Sequence, residues 1–234
     1  MLDLTHPFDA QTIYWPTDEG FRLHEGFAGI TDGGYYYESN SFSAPEHGGT
    51  HLDAPIHFAE GHLTLDAIPV ERLIGPGVVI DISDACAVDT DYLVSLEDFE
   101  AWESAHGRLP EGAIVLLHTG FGAYWPNRGR YLGTDERGPE AVSKLHFPGL
   151  DPDAATWLIG QRSIRAVGLD TPSIDRGQST TFDAHVRLFE HDIPAFENVA
   201  HLDQLPVRGF SVIALPMKIA GGSGGPLRII AILD

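Results

Sequence analysis

The chain is poor in cysteine, in basic residues and in long apolar runs, and each shortage excludes something. Its one cysteine, Cys86, cannot form a disulfide within the chain, so a reducing, cytoplasmic setting is the expectation. Lys and Arg number 14 against 34 Asp and Glu, a formal net charge of −20. Nucleic-acid binding relies on basic side chains that neutralise phosphates, so no nucleic-acid partner is expected. No stretch approaches the ~20 apolar residues that cross a bilayer. The opening Met1-Leu-Asp-Leu-Thr-His-Pro7 has no basic run leading into an apolar one, so neither membrane span nor secretory signal is expected. Repeats and linker-like tracts are missing as well. At 234 residues, that leaves one domain spanning 1–234 with a core of ordinary size.

Histidine, by contrast, is plentiful: the chain has 12. It is the commonest metal ligand and the usual acid–base side chain near neutral pH. The elements around the histidines can be outlined. Gly34 to Ser43 is rich in β-formers with partial alternation. Gly77–Ile82, Gly112–Leu117, Ile164–Leu169, Phe210–Leu215 and Leu227–Leu233 read as strands. Ser95–His106, Asp151–Gln161 and about Thr180–His191 read as helices, the first with Ser95 and Asp98 at capping-box spacing. Strands alternating with helices after an extended start predict an α/β fold with a mixed sheet.

The chemistry concentrates in Pro45-Glu-His47-Gly-Gly-Thr-His51-Leu-Asp53-Ala-Pro55-Ile-His57-Phe58. Gly48, Gly49 and Pro55 oppose a helix. In an extended chain His51 and Asp53 share one face, with His57 at the same parity, and the glycine pair lets the backbone bend His47 towards them. Three histidines and a carboxylate would then face one small volume. That donor set suits Zn or Mn better than Ca or Mg. The alternative is a half-buried strand whose histidines merely alternate, but four donors within eleven residues, bracketed by Gly and Pro, favour the metal.

The pattern His47-x-Gly49-Thr50-His51-x-Asp53-x-Pro55-x-His57 resembles the signature of the cyclase family, metal hydrolases that include bacterial kynurenine formamidase and isatin hydrolase. Further segments resemble it too: Asp3-Leu-Thr-His-Pro7, Gly168-Leu-Asp-Thr-Pro-Ser-Ile-Asp175, Phe182-Asp-Ala-His185 with Glu197-Asn198, and Ala214-Leu-Pro-Met-Lys-Ile219. The resemblance implies a swivelling β/β/α-type fold and one or two divalent ions. It places His47, His51 and Asp53 on one ion, Asp53 bridging to a second held by His185 and Glu197, and His57 beside them as acid–base residue. Taken alone, His185 would read as a core-edge histidine on an amphipathic helix. A partly buried Glu197 would need a counter-charge, which a metal supplies.

The implied reaction is hydrolysis of a small amide, lactam or ester by metal-activated water, as in kynurenine formamidase or isatin hydrolase. The rivals are a polyketide-type cyclase and a non-catalytic metal or small-molecule binding protein. The partner is then a small-molecule substrate, and a homo-oligomer is the usual expectation.

Other features are weaker. Trp15, in Tyr14-Trp15-Pro16, stands where family members carry a pocket aromatic, although Thr17 replaces the usual glycine. Phe121, with Tyr124 and Trp125, is a second substrate-facing candidate, and residues 120–150 are long enough to cover a pocket. Gly221-Gly-Ser223-Gly-Gly225 mimics a nucleophile elbow, but Pro226 and a strand follow it and no histidine comes after. A tight turn near the site is the better reading. Cys86 has no basic neighbour and reads as a core residue. The remaining histidines have no ligand partner at suggestive spacing.

Overall fold

Runs such as Ile114-Val-Leu-Leu117 have no polar alternation, as expected of strands buried on both faces. In the computed structural model, which describes residues 1–234, the chain opens with β1 (Leu2–Asp3). An arm of four short strands follows: β2 (Arg22–His24), β3 (Ala28–Ile30), β4 (Tyr36–Glu38) and β5 (Ser41–Ser43). Then come β6 (His51–Asp53), β7 (Ile74–Asp81), α1 (Ser83–Val88), β8 (Leu93–Val94), α2 (Leu96–His106) and β9 (Ile114–His118). The second half holds α3 (Arg128–Leu132), α4 (Pro139–Val142), β10 (Gly149–Leu150), α5 (Pro152–Trp157), β11 (Ala166–Leu169) and α6 (Asp183–Phe189). It ends with β12 (Ala195–Glu197), β13 (Phe210–Pro216) and β14 (Gly224–Leu233).

The main sheet runs β14-β13-β7-β9-β11-β12-β6, and β6 pairs back onto β14, closing a seven-stranded barrel. β7, β9, β11 and β12 are parallel; the remaining pairs, including β1 on β14, are antiparallel. The expected α/β fold and mixed sheet are therefore present. Closure is the feature that no local pattern announced.

The strands β7, β9, β11 and β12 alternate between two cores. Leu52, Val79, Ile114, Leu116, Ala166, Phe196, Val212, Ala214, Leu227 and Ile229 belong to one buried cluster, filled from all seven strands. Val78, Ile80, Val115, Leu117, Val167 and Leu169 belong to another, shared with Phe99 and Trp102 of α2, Ala154 and Ala155 of α5, and Leu188 and Phe189 of α6. The first is the barrel interior; the second is the layer between barrel and helices.

Several boundaries differ from the sequence expectation for physical reasons. The helix from Asp151 stops its α-pattern at Trp157 and continues as a π-turn, Leu158–Arg162. The helix around His185 is confined to Asp183–Phe189 because Phe182 (φ 52°) and Asp192 (φ 55°) take left-handed backbone on either side. The Ser95 capping box is present: Asp98 accepts from the Ser95 N–H at 2.7 Å. No helix is long and apolar enough to cross a membrane.

Candidate metal centre

Leu52 points into the barrel, so its neighbours His51 and Asp53 point out of it. Across the ladder, Glu197 lies opposite His51 and Ala195 opposite Asp53, with Phe196 facing inward beside Leu52. The pairing of β6 with β12 therefore puts Glu197 on the same outer face as the histidine and aspartate. On the other edge Gly224 lies opposite Asp53. A Cβ there would stand 2.5 Å from His47 Cε1, so the missing side chain is what lets His47 fold over the strand. Its bend comes from Gly48 (φ 154°) and Gly49 (φ 58°). α6 supplies His185 from above.

Two donor groups result, each with ligand atoms within 4.8 Å of one another: His47, His51 and Asp53, and Asp53, His185 and Glu197. Asp53 serves both. Its Oδ1 lies 2.7 Å from His47 Nδ1 and 3.0 Å from His51 Nε2, and its Oδ2 lies 3.2 Å from His185 Nε2. Glu197 Oε1 is 3.1 Å from His185 Nε2, and its Oε2 is 3.4 Å from His51 Nε2.

Behind the donors stands a second layer that fixes each ring. His51 Nδ1 contacts the Gly49 carbonyl at 2.9 Å, and Asn198 Nδ2 donates to the same carbonyl at 2.7 Å. Asn198 in turn accepts from the Tyr131 hydroxyl at 2.9 Å. His185 Nδ1 lies 2.6 Å from Asp175 Oδ2, a carboxylate that also accepts from the Ala184 and His185 N–H groups. His47 Nε2 lies 2.9 Å from Ser223 Oγ, whose hydroxyl donates to Glu46 Oε2 at 2.6 Å. Such outer partners select the tautomer and raise ligand basicity in metal sites.

The electrostatics fit a cation. Asp53, His51, His185 and Glu197 are all buried, and no Lys or Arg lines the cleft. Burial depresses His51, but the Asp53 and Glu197 carboxylates outweigh it and hold the imidazole up at about 9. His185 is likewise raised, since hydrogen bonds to Asp175, Asp53 and Glu197 overcome its burial. Burial and the Asp53 charge push Glu197 up, whereas the His47 and His51 charges overcome burial and pull Asp53 well below the carboxylate range. With the Nδ1–H of His51 committed to Gly49, its Nε2 has no well-formed hydrogen bond and is aimed at two carboxylates. Either a proton or a metal ion resolves that geometry, and His/Asp/Glu donors suit Zn or Mn.

His57 is close but arrives by a different route from the one its parity suggests. β6 ends at Asp53, and Pro55–His57 form a 3-10 turn. The turn lays the His57 ring parallel to His47, with centroids 3.8 Å apart. Burial, aided by charge on His47, His185 and His51, lowers it to about 4 despite the opposing pull of Asp53.

A cleft of about 370 Å³ opens over these groups, with Tyr14, Trp15, Phe58 and Phe182 as aromatic walls, a size suited to a small molecule. Trp15 stands on the cleft wall. Phe121 does not: it is buried in the helix–barrel core and packs edge-on against Tyr124. No residue of 120–150 lines the cleft. That segment instead braces the wall from outside, through Arg128 Nη1 donating to the Tyr14 carbonyl at 3.0 Å and the Gly138 N–H donating to the Pro16 carbonyl at 2.8 Å. Sequence reasoning passed over Glu46, Ser223 and the supporting role of Asp175. The one available signal for Ser223 is its place in the Gly-rich turn, which the sequence marks as a tight turn near the site but not as a partner of His47.

The comparisons agree with the geometry. The Cyclase family model matches residues 2–176. The chain belongs to the cyclase family. Among curated members of that family, it is 33% identical over 208 residues to the isatin hydrolase of Roseibium aggregatum, covering 86% of this chain and 76% of the relative. It is 30% identical to the kynurenine formamidase of Bacillus cereus, covering 98% and 95%. Among solved structures, isatin hydrolase A from Labrenzia aggregata bound to benzyl benzoate superposes with a TM-score of 0.88 at 35% identity, covering 99% of this chain and 93% of that one. An isatin hydrolase bound to the product analogue thioisatinate gives 0.85 at 29% identity, covering 100% and 92%.

Proposed function

We propose that this protein is a metal-dependent hydrolase that cleaves the C–N bond of a small aromatic amide or lactam. The observation that carries the proposal is the Asp53 carboxylate, one oxygen facing His47 and His51 and the other facing His185. In this reading His47, His51 and Asp53 hold one divalent ion, Zn or Mn, and Asp53, His185 and Glu197 a second. Such an ion lowers the pKa of bound water to ~7 and polarises a carbonyl. His57, stacked on His47 but outside both donor groups, is placed to exchange a proton with the reacting water and then with the leaving nitrogen. Trp15, Tyr14, Phe58 and Phe182 sandwich the aromatic ring and exclude water.

The hydrolase names of the relatives favour hydrolysis over ring closure or passive binding. Isatin-like lactams and aryl formamides are the first substrates to test. The same proposal includes a cytoplasmic setting and a homo-oligomeric state. Elemental analysis of protein purified without chelator should find about two metals per chain, lost in Asp53→Ala, together with hydrolysis of isatin or a formanilide. Absence of metal after incubation with Zn and Mn would overturn the reading.

A further inference from the structure

The cleft over the metal centre presents two kinds of surface. One is the set of metal donors; the other is the aromatic wall of Tyr14, Trp15, Phe58 and Phe182. A charge that the hydrolytic chemistry does not use stands on that wall. Three carboxylates line the cleft: Asp53 and Glu197 belong to the donor groups, and Asp18 does not.

Asp18 reaches the wall through a tight turn. Its N–H donates to the Trp15 carbonyl at 3.0 Å, closing Trp15-Pro16-Thr17-Asp18. Proline at the second position presets the backbone for such a turn. The turn returns the chain to the cleft that Trp15 lines and leaves Asp18 half-buried there.

A carboxylate part-way out of water favours a cationic partner, and the bases nearby are engaged elsewhere. Arg22 pairs with Glu19 at 3.1 Å. Arg128, which braces this wall from outside, gives Nη1 to the Tyr14 carbonyl at 3.0 Å and Nη2 to the Glu136 carbonyl at 3.2 Å. No Lys or Arg lines the cleft, and a net charge of −20 favours the approach of a cation. Aromatic faces beside a carboxylate are the combination that recognises an ammonium group. The rings attract it through their quadrupole, and the carboxylate through a charge-assisted hydrogen bond. A substrate carboxylate finds no base on the same wall.

We propose that Asp18 is a specificity-determining residue, and that the cleft selects aromatic amides carrying a protonated amine and no carboxylate. The inference rests on the hydrolase reading of this site and adds the charge of the substrate. The amide carbonyl then faces the metal donors, the ring lies among the aromatic walls, and the ammonium group meets Asp18 beside Trp15. A zwitterionic amino acid forfeits on its carboxylate what its ammonium group gains.

The test compares three formanilides on the full chain purified with its metal: meta-(aminomethyl)formanilide, its neutral isostere meta-ethylformanilide, and the zwitterion meta-formamidophenylglycine. In wild type the cation should exceed the neutral compound about tenfold in kcat/KM, or ~1.4 kcal/mol. The difference should lie in KM, because the amine is remote from the reacting carbonyl. The zwitterion should gain little over the neutral compound, and raising NaCl should shrink the preference for the cation. In Asp18→Asn the cation-to-neutral ratio should fall close to one. That ratio is internal to each protein, so a variant with fewer folded molecules still reports it. A wild-type ratio near one, or a ratio that survives Asp18→Asn, overturns the proposal, as does a zwitterion favoured as strongly as the cation. The hydrolase reading fails separately. If none of the three compounds is cleaved, quenching of tryptophan emission still ranks their binding, and the same ratio of affinities decides the role of Asp18.

Discussion

His57 and Ser223 both touch His47, yet the structure gives them opposite kinds of work. His57 lies face to face with His47 and belongs to neither donor group. Replacing it with alanine should lower turnover ~10²–10⁴-fold, the usual contribution of an acid–base side chain, while metal content stays near normal. Metal loss in that variant would make it a ligand. Ser223 and Glu46 act through the ring of His47. Ser223→Ala and Glu46→Gln should weaken metal affinity ~10–100-fold in a chelator competition, and Ser223→Thr should restore most of it. An unchanged affinity would mean that the contact only packs the Gly-rich turn. Of these residues, His57 was legible in the sequence because its neighbours are local. Glu46–Ser223 was not, because 177 residues separate its partners.

Among the elements, α2 and the π-turn after α5 are held together by one ion pair. Arg162 Nε and Nη2 donate to the two oxygens of Glu103 at 2.6 and 2.7 Å, and the same guanidinium lies 3.9 Å from the Trp157 ring centroid. Glu103 is held below the usual carboxylate range, chiefly by the Arg162 hydrogen bonds against its partial burial. A depressed acid stabilises the fold above its unfolded pKa, and that stabilisation is lost as pH falls through its folded value. Glu103→Gln should therefore lower Tm at pH 7 by about 2–4 °C, the equivalent of ~1 kcal/mol. Near pH 3, where the unfolded carboxyl is already protonated, the difference should shrink. Equal Tm differences at both values would show that packing rather than charge accounts for the loss. The existence of α2, with its capping box, was visible locally. The π-turn was not, since the Arg162–Glu103 pair that accompanies it joins residues 59 positions apart.

For the whole molecule, the buried Asp53, Asp175 and Glu197 carboxylates gather where the barrel seam, β12 and α6 meet. A cation bound to the folded state alone stabilises it in proportion to its binding, ~2.7 kcal/mol at one hundred times Kd. Added Mn or Zn should raise Tm by about 5–10 °C for a chain of this size, and EDTA should reverse the gain. The Asp53→Ala variant should show little response to either. A wild-type Tm indifferent to metal would argue against an ion in the centre.

Local chemistry alone determined the donor-rich segment from His47 to His57, the acidic and disulfide-free character, and the alternation of strands and helices. These depend on residue type and on spacings of a few positions, which the backbone converts directly into shared faces. Tertiary structure decided what those residues face. Closure of β6 between β12 and β14 set Glu197 opposite His51 and left Gly224 as the space for His47. Burial of Phe121 in the core removed it from the cleft. Pairing across long stretches of chain depends on the register of the whole barrel, and no window of sequence contains it.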